Sequence, residues 1–175
     1  TIGSYETKIS GKDIPEMNTI QINIDQIAMF ANTSLDYSII KTHSTDETFL
    51  MTAFCVDNRT QNLDDIVAIE NLPQFGYKII FILHSSYFDG KVDPARQHLT
   101  LKESELKNIK KIFRGHVAKI IEENIPSIKH KNTETKESLN KNYPHLVGYF
   151  NNNEIGIISR TKSIEDAQKL FMRDQ

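Results

Sequence analysis

The chain has one cysteine, no tryptophan, five prolines and seven scattered glycines among its 175 residues. A single cysteine excludes an internal disulfide and a cysteine-based zinc cluster, and it fits a reducing, cytoplasmic setting. No apolar run approaches the roughly 20 residues that a membrane helix needs, so no membrane partner is expected. The glycines form neither a phosphate loop of the Gly-x-x-x-x-Gly-Lys kind nor a nucleophile elbow. With 21 basic and 23 acidic residues the formal net charge is −2, which argues against a surface dedicated to nucleic acid or membrane. The chain opens at Thr1 without a charged and apolar leader, and is expected to be a fragment of a longer product.

What is present is an ordinary globular composition, 38% hydrophobic and 25% charged, long enough to bury a core. Tyr5 to Ile14 reads as a short or edge strand. Ile20, Ile22 and Ile24 alternate along one face of a half-buried strand, and Asp25 to Asn32 as an amphipathic turn. Asp36–His43 and Thr48–Val56 are rich in β-branched and aromatic residues and flank the polar stretch Ser44–Glu47, which predicts an antiparallel hairpin. Leu63, Ile66, Val67 and Ile69 fall near helical spacing behind Asn62, with Asp64 and Asp65 at the positive end, which predicts a short helix. Tyr77–His84 is almost continuously apolar, as in a central strand. Ser85–Pro94 is a polar loop containing the turn-forming pair Asp89-Gly90, and Leu99 and Leu101 mark a brief strand. Leu106, Ile109, Phe113, Val117, Ile120 and Ile121 define the clearest helix, over 104–124. After Pro126 the composition turns polar, so 127–142 reads as a linker or a solvated helix. Order resumes at Tyr143–Phe150, and Ser163-Ile164-Glu165-Asp166 has a capping-box pattern opening a last helix.

Several side chains are of types that can carry chemistry. Cys55 sits between Phe54 and Val56 and reads as buried and inert. The six histidines, His43, His84, His98, His116, His130 and His145, lack metal-ligand spacing. His116 beside the apolar stripe reads as a packing residue, while His84 and His98 could meet around one loop. Asp64 and Asp65 read as a helix-start charge pair. Lys102, Lys107, Lys110, Lys111, Arg114 and Lys119 mix with Glu103, Glu105, Glu122 and Glu123 on the long helix. That pattern fits a solvated, ion-paired face, and less readily a protein- or nucleic-acid-binding surface.

One run carries a resemblance. A strand ending in Cys55-Val56-Asp57-Asn58-Arg59 is followed by a short helical piece and a second apolar strand. Then come the loop Val92-Asp93-Pro94-Ala95-Arg96, a strand and a long helix. In this order, over 48–124, the chain resembles the transducer domain of GHKL ATPases, the superfamily of gyrase, the large heat-shock chaperone, histidine kinases and MutL. There a Val-x-Pro-Ala-Lys loop sends a cation into the neighbouring ATP site. Tyr87, Phe88, Asp89, Val92, Asp93, Pro94 and Arg96, and later Tyr143-Pro144-His145-Leu146, also resemble a group of bacterial ATP-binding proteins of that type. Here an arginine replaces the lysine, and the Asn-Gly-Arg turn lacks its glycine.

The resemblance implies a two-layer α/β sandwich like the second domain of small-subunit ribosomal protein S-five. Its four- or five-stranded mixed sheet would carry both helices on one face. It implies a transducer-like domain over 1–125, with 126–175 a linker and a small C-terminal helical or α/β appendage. Arg96 would sense the terminal phosphate of Mg-ATP held by an N-terminal domain of the same polypeptide. The chain itself would hold no cofactor, since it lacks the pocket's Asp-x-Gly-x-Gly loop and glycine-rich lid. A homodimer is compatible with this reading, and nucleic acid is an open, less favoured partner. The alternative reading is an independent binding module using the basic face of the 104–124 helix. No constellation supports a stand-alone enzyme.

Overall fold

A computed structural model describes residues 17–22, 32–93, 99–151 and 155–175. The expected strand over 5–14 and turn over 25–32 lie almost wholly outside the described residues. Five strands form one mixed sheet: β1 (Asn18–Gln21), β2 (Thr33–Lys41), β3 (Phe49–Val56), β4 (Arg59–Asn62) and β5 (Tyr77–Ser85), in the order β1-β2-β5-β3-β4. Among the described residues three α-helices follow: α1 (Glu103–Asn124), α2 (Pro126–Asn142) and α3 (Arg160–Arg173). The architecture is α+β, a sheet layer covered by a helical layer.

β5 takes the centre, as its apolar run predicts, and pairs antiparallel with β2 and parallel with β3. The predicted β2–β3 hairpin therefore does not form. The link between those strands instead bonds to the residues leading into β5. Thr48 N donates to Gln74 O and Gly76 N to Asp46 O, at 2.9 and 2.8 Å. β5 enters between its two neighbours and gains a hydrogen-bonded ladder on each edge. The hairpin that does form joins β3 to β4, with Val56 opposite Arg59. Its two-residue turn is Asp57-Asn58, both left-handed with φ of 51° and 62°. Such a turn matches the twist of the flanking strands, and Asp and Asn tolerate it without glycine.

Leu35, Phe54, Val56, Ile79, Phe81 and Leu83 face the helices and are buried. α1 returns Ile109, Phe113, Val117, Ile120 and Ile121 to the same core, matching the predicted stripe. Phe54 of β3 binds the layers together: its ring centroid lies 4.9 Å from Phe88 and 5.9 Å from Phe113.

The helix predicted at 62–69 is absent. Asn62 ends β4, the chain then bends, and only a single 3-10 turn forms at Ile69–Asn71. Tertiary partners take the backbone groups that a helix would have used. Arg114 of α1 donates to the carbonyls of Asp65 and Ile66, and Ala68 N donates to Ile157 O. Ile66, Val67 and Leu72 are buried without helical order.

The 127–142 stretch is a helix, not a linker. Pro126 both ends α1 and starts α2 at a first-turn position where its missing N–H is harmless. Few apolar residues suffice, because they fall on one stripe. Ile128 joins the main core, Asn132 is buried, and Leu139 enters a second cluster with Leu146, Phe150, Ile155 and Ala167. α3 starts three residues before the predicted cap: Ser159 accepts from Lys162 N, and Ser163 lies buried within the helix.

Candidate functional site

Residues 94–98, and with them Arg96 and His98, lie outside the described residues, but both stems of their loop are placed. β5 ends at Ser85, whose Oγ accepts from Tyr87 N as a 3-10 turn spans Ser86–Phe88. Phe88 is fully buried in the main core and anchors the first stem. Gly90 follows with φ of 72°, a conformation glycine adopts without strain. Val92 and Leu99 then form an antiparallel bridge, and Thr100 N donates to Lys91 O at 2.7 Å. The brief strand expected at Leu99–Leu101 is this one bridge.

Two side-chain contacts tighten the stems. Lys91 Nζ donates to Tyr87 O at 2.8 Å and lies 4.1 Å from the Tyr87 ring centroid. The Tyr87 hydroxyl donates to Glu105 in the first turn of α1. A segment of six residues, 93–98, is thus bounded by a bridge tied to the central strand on one side and to α1 on the other.

The sheet face turned away from the helices brings together residues far apart in sequence. Asp36 Oδ1 accepts from Thr19 Oγ1 at 2.7 Å, and Asp36 Oδ2 lies 2.8 Å from His84 Nε2. That ring nitrogen is shielded from solvent and makes no well-aligned hydrogen bond. Cys55 is the β3 partner of His84 in the parallel register. It is half-buried rather than buried, and burial raises its thiol pKa. A backbone hydrogen bond at Asn58 opposes that shift and the charge of Asp36 adds to it. A thiol held protonated is a poor nucleophile. His84 therefore meets Asp36 across the strands. The partner suggested by sequence, His98, lies outside the described residues. Among the described residues no group of three or more His, Cys, Asp or Glu is placed to hold a metal ion.

His116 is partly buried on α1, as expected of a packing residue. Burial lowers its pKa, and nearby Lys119 lowers it further. The Asp64–Asp65 pair starts no helix; Asp65 instead forms an ion pair with Lys110 at 2.8 Å. Of the basic residues on α1, Lys107, Lys110, Lys111 and Arg114 line one wall of a cleft whose other wall is α3. Lys102 and Lys119 lie elsewhere. Sequence reasoning missed α3's contribution, Lys162 and Lys169, because no local pattern says which helix faces which.

No protein-family model, curated protein or solved structure matches the chain. No helix among the described residues is long and apolar enough to cross a membrane.

Proposed function

We propose that this chain is a coupling domain of a GHKL-type ATPase, with Arg96 meeting the terminal phosphate of Mg-ATP held by an N-terminal domain of the same polypeptide. The observation that carries the reading is the anchoring of the loop's two stems. The described chain before residue 94 runs on from the sheet's central strand, the chain after residue 98 leads into α1, and the Val92–Leu99 bridge joins the two. A cation presented there would feel the charge of a γ-phosphate. Any shift of it would load β5 and α1 together through Phe88, Tyr87 and Glu105. Packed layers of this kind tilt as rigid bodies rather than deform smoothly. The strand order, with β3 and β5 parallel neighbours and the 57–76 segment crossing between them, is compatible with a transducer-type sandwich. The role of Arg96 comes from the motif it shares with that family.

The test is Arg96→Ala in the protein that contains the ATP-binding domain. Turnover should fall by about 10²–10³-fold, since a contact to developing charge acts in the transition state, while nucleotide affinity changes little. Unchanged turnover would remove Arg96 from the mechanism and the coupling reading with it.

A further inference from the structure

The cleft between α1 and α3 has a volume of about 380 Å³, within the range of small-ligand sites. Six cations line it: Lys107, Lys110, Lys111 and Arg114 from α1, Lys162 and Lys169 from α3. Among the described residues two carboxylates line it, and each already holds one lysine, Asp65 with Lys110 at 2.8 Å and Asp166 with Lys162 at 2.9 Å. Three lysines, Lys107, Lys111 and Lys169, add their charges to this hollow without an ion pair among the described residues, in a chain whose overall charge is −2. The acidic residues of α1, Glu103, Glu105, Glu122 and Glu123, do not line it. An ion-paired solvated face would intersperse the two signs; this surface separates them.

The arrangement is also partly fixed in advance. Arg114 donates through Nε to Ile66 O at 2.9 Å and through Nη2 to Asp65 O, so its guanidinium is held against the irregular segment after β4. Lys107, Lys111 and Lys169 form no ion pair among the described residues and are exposed. The first turn of α3 opens onto the hollow, with Ser159 capping it from the adjoining groove and Lys162 and Ser163 in the lining. The positive end of the α3 dipole adds to the field there. Along each helix the cations span seven residues, roughly 10 Å at 1.5 Å per residue. One compact anion would leave most of them unmatched, whereas a short row of anions would not.

We propose that this cleft binds a run of consecutive phosphate groups, supplied either by a free polyphosphate or by the backbone of a nucleic-acid strand. The proposal does not rest on the coupling role of Arg96. The phosphates lie between the two helices, with Lys107, Lys111 and Lys169 as the mobile contacts and Arg114 as the fixed one. Charge-assisted bonds to several phosphate oxygens hold the ligand, and binding weakens as salt rises.

Isothermal titration calorimetry of the full chain with inorganic tripolyphosphate tests this. The probe carries no base, so it cannot report on an adenine pocket and stands apart from the Arg96 experiment. A second titration uses a single-stranded thymidine oligonucleotide. Tripolyphosphate should bind at one site per chain and lose about tenfold in affinity in Lys111→Gln/Lys169→Gln. Lys119→Gln, exposed on α1 outside the cleft, should bind as the parent does. Lys107→Gln/Lys169→Gln should repeat the loss, which guards against one pair acting through folding. If only the oligonucleotide binds, with the same dependence on these lysines, the phosphates come from a strand. If neither probe binds at low salt, or both double variants bind as well as the parent, the cleft is not a phosphate site and the proposal fails.

Discussion

Asn132 and Gly156 are locked together: Gly156 turns with φ of 86°, and a β-carbon there would lie far inside van der Waals contact with the Asn132 side-chain amide. Asn132 is 1% exposed, donates to Glu122 Oε1 at 3.1 Å, and has a buried Oδ1 without a hydrogen-bond partner among the described residues. The contact ties α2 to the segment leading into α3. Gly156→Ala should therefore destabilise the fold by about 1–3 kcal/mol, combining left-handed strain with the clash. Adding Asn132→Ala should recover part of that loss. Urea unfolding of the two single variants and the double variant measures the coupling, and strictly additive costs would show that the contact does not matter.

The Asp57-Asn58 turn makes a second prediction. Both residues are left-handed, and Asn58 at φ of 62° is tolerated there, whereas a β-branched residue is not. Asn58→Gly should change stability by less than about 0.5 kcal/mol, and Asn58→Val should cost about 1–2 kcal/mol. Equal midpoints for the two variants in a denaturant titration would contradict the turn geometry.

His116 gives a pH dependence. Its pKa is lowered in the fold, first by burial and then by Lys119, so the neutral ring is the form the folded state prefers. The unfolded chain, with the ordinary value of 6.5, then binds the proton more readily. This contribution is complete above pH 6.5 and is lost as pH falls from there through the folded-state value. His116→Gln should flatten the stability profile in that acid window, seen in thermal melts between neutral pH and pH 5. A slope unchanged by the substitution would assign it to other groups.

Cys55 should be slow to alkylate. Burial raises its pKa and the Asp36 carboxylate adds to that effect, so little thiolate is present at neutral pH. Asp36→Asn should speed the reaction of iodoacetamide with Cys55 by removing the repelling charge. An identical rate–pH curve for the variant would show that Asp36 does not act on the thiol.

What the sequence made legible follows from how local each signal is. The α1 stripe from Ile109 to Ile121 and the apolar β5 run were readable because their periodicity records which side is buried. The β2–β3 pairing is not legible locally, because two neighbouring β-rich runs look alike whether or not a third strand comes between them. Tertiary hydrogen bonds decided the 63–69 segment, since Arg114 lies 48 residues from the carbonyl it occupies at Ile66. The polar 127–142 stretch fits a linker as well as a solvated helix from sequence, because only Ile128, Asn132 and Leu139 need burying in the helix that forms. The cleft shows the same limit: α1's basic face was visible as a pattern, but its facing lysines on α3 were not.

The central place of β5 also has a consequence for the order in which the chain can organise itself. β2 finds its inner partner only after the chain has continued to Tyr77–Ser85, with Thr33 opposite Ser85 at a sequence separation of 52. β3 waits for the same strand. Until that strand is made, β2 and β3 each carry an open edge, and pairing directly with one another is the wrong solution closest to hand. Folding through such distant contacts is slow, and displacing the premature hairpin adds a barrier. In pulse-labelled hydrogen exchange during refolding, β2, β3 and β5 should gain protection together and later than α1. Early protection of β2 alone would instead show a sheet that grows from its edge.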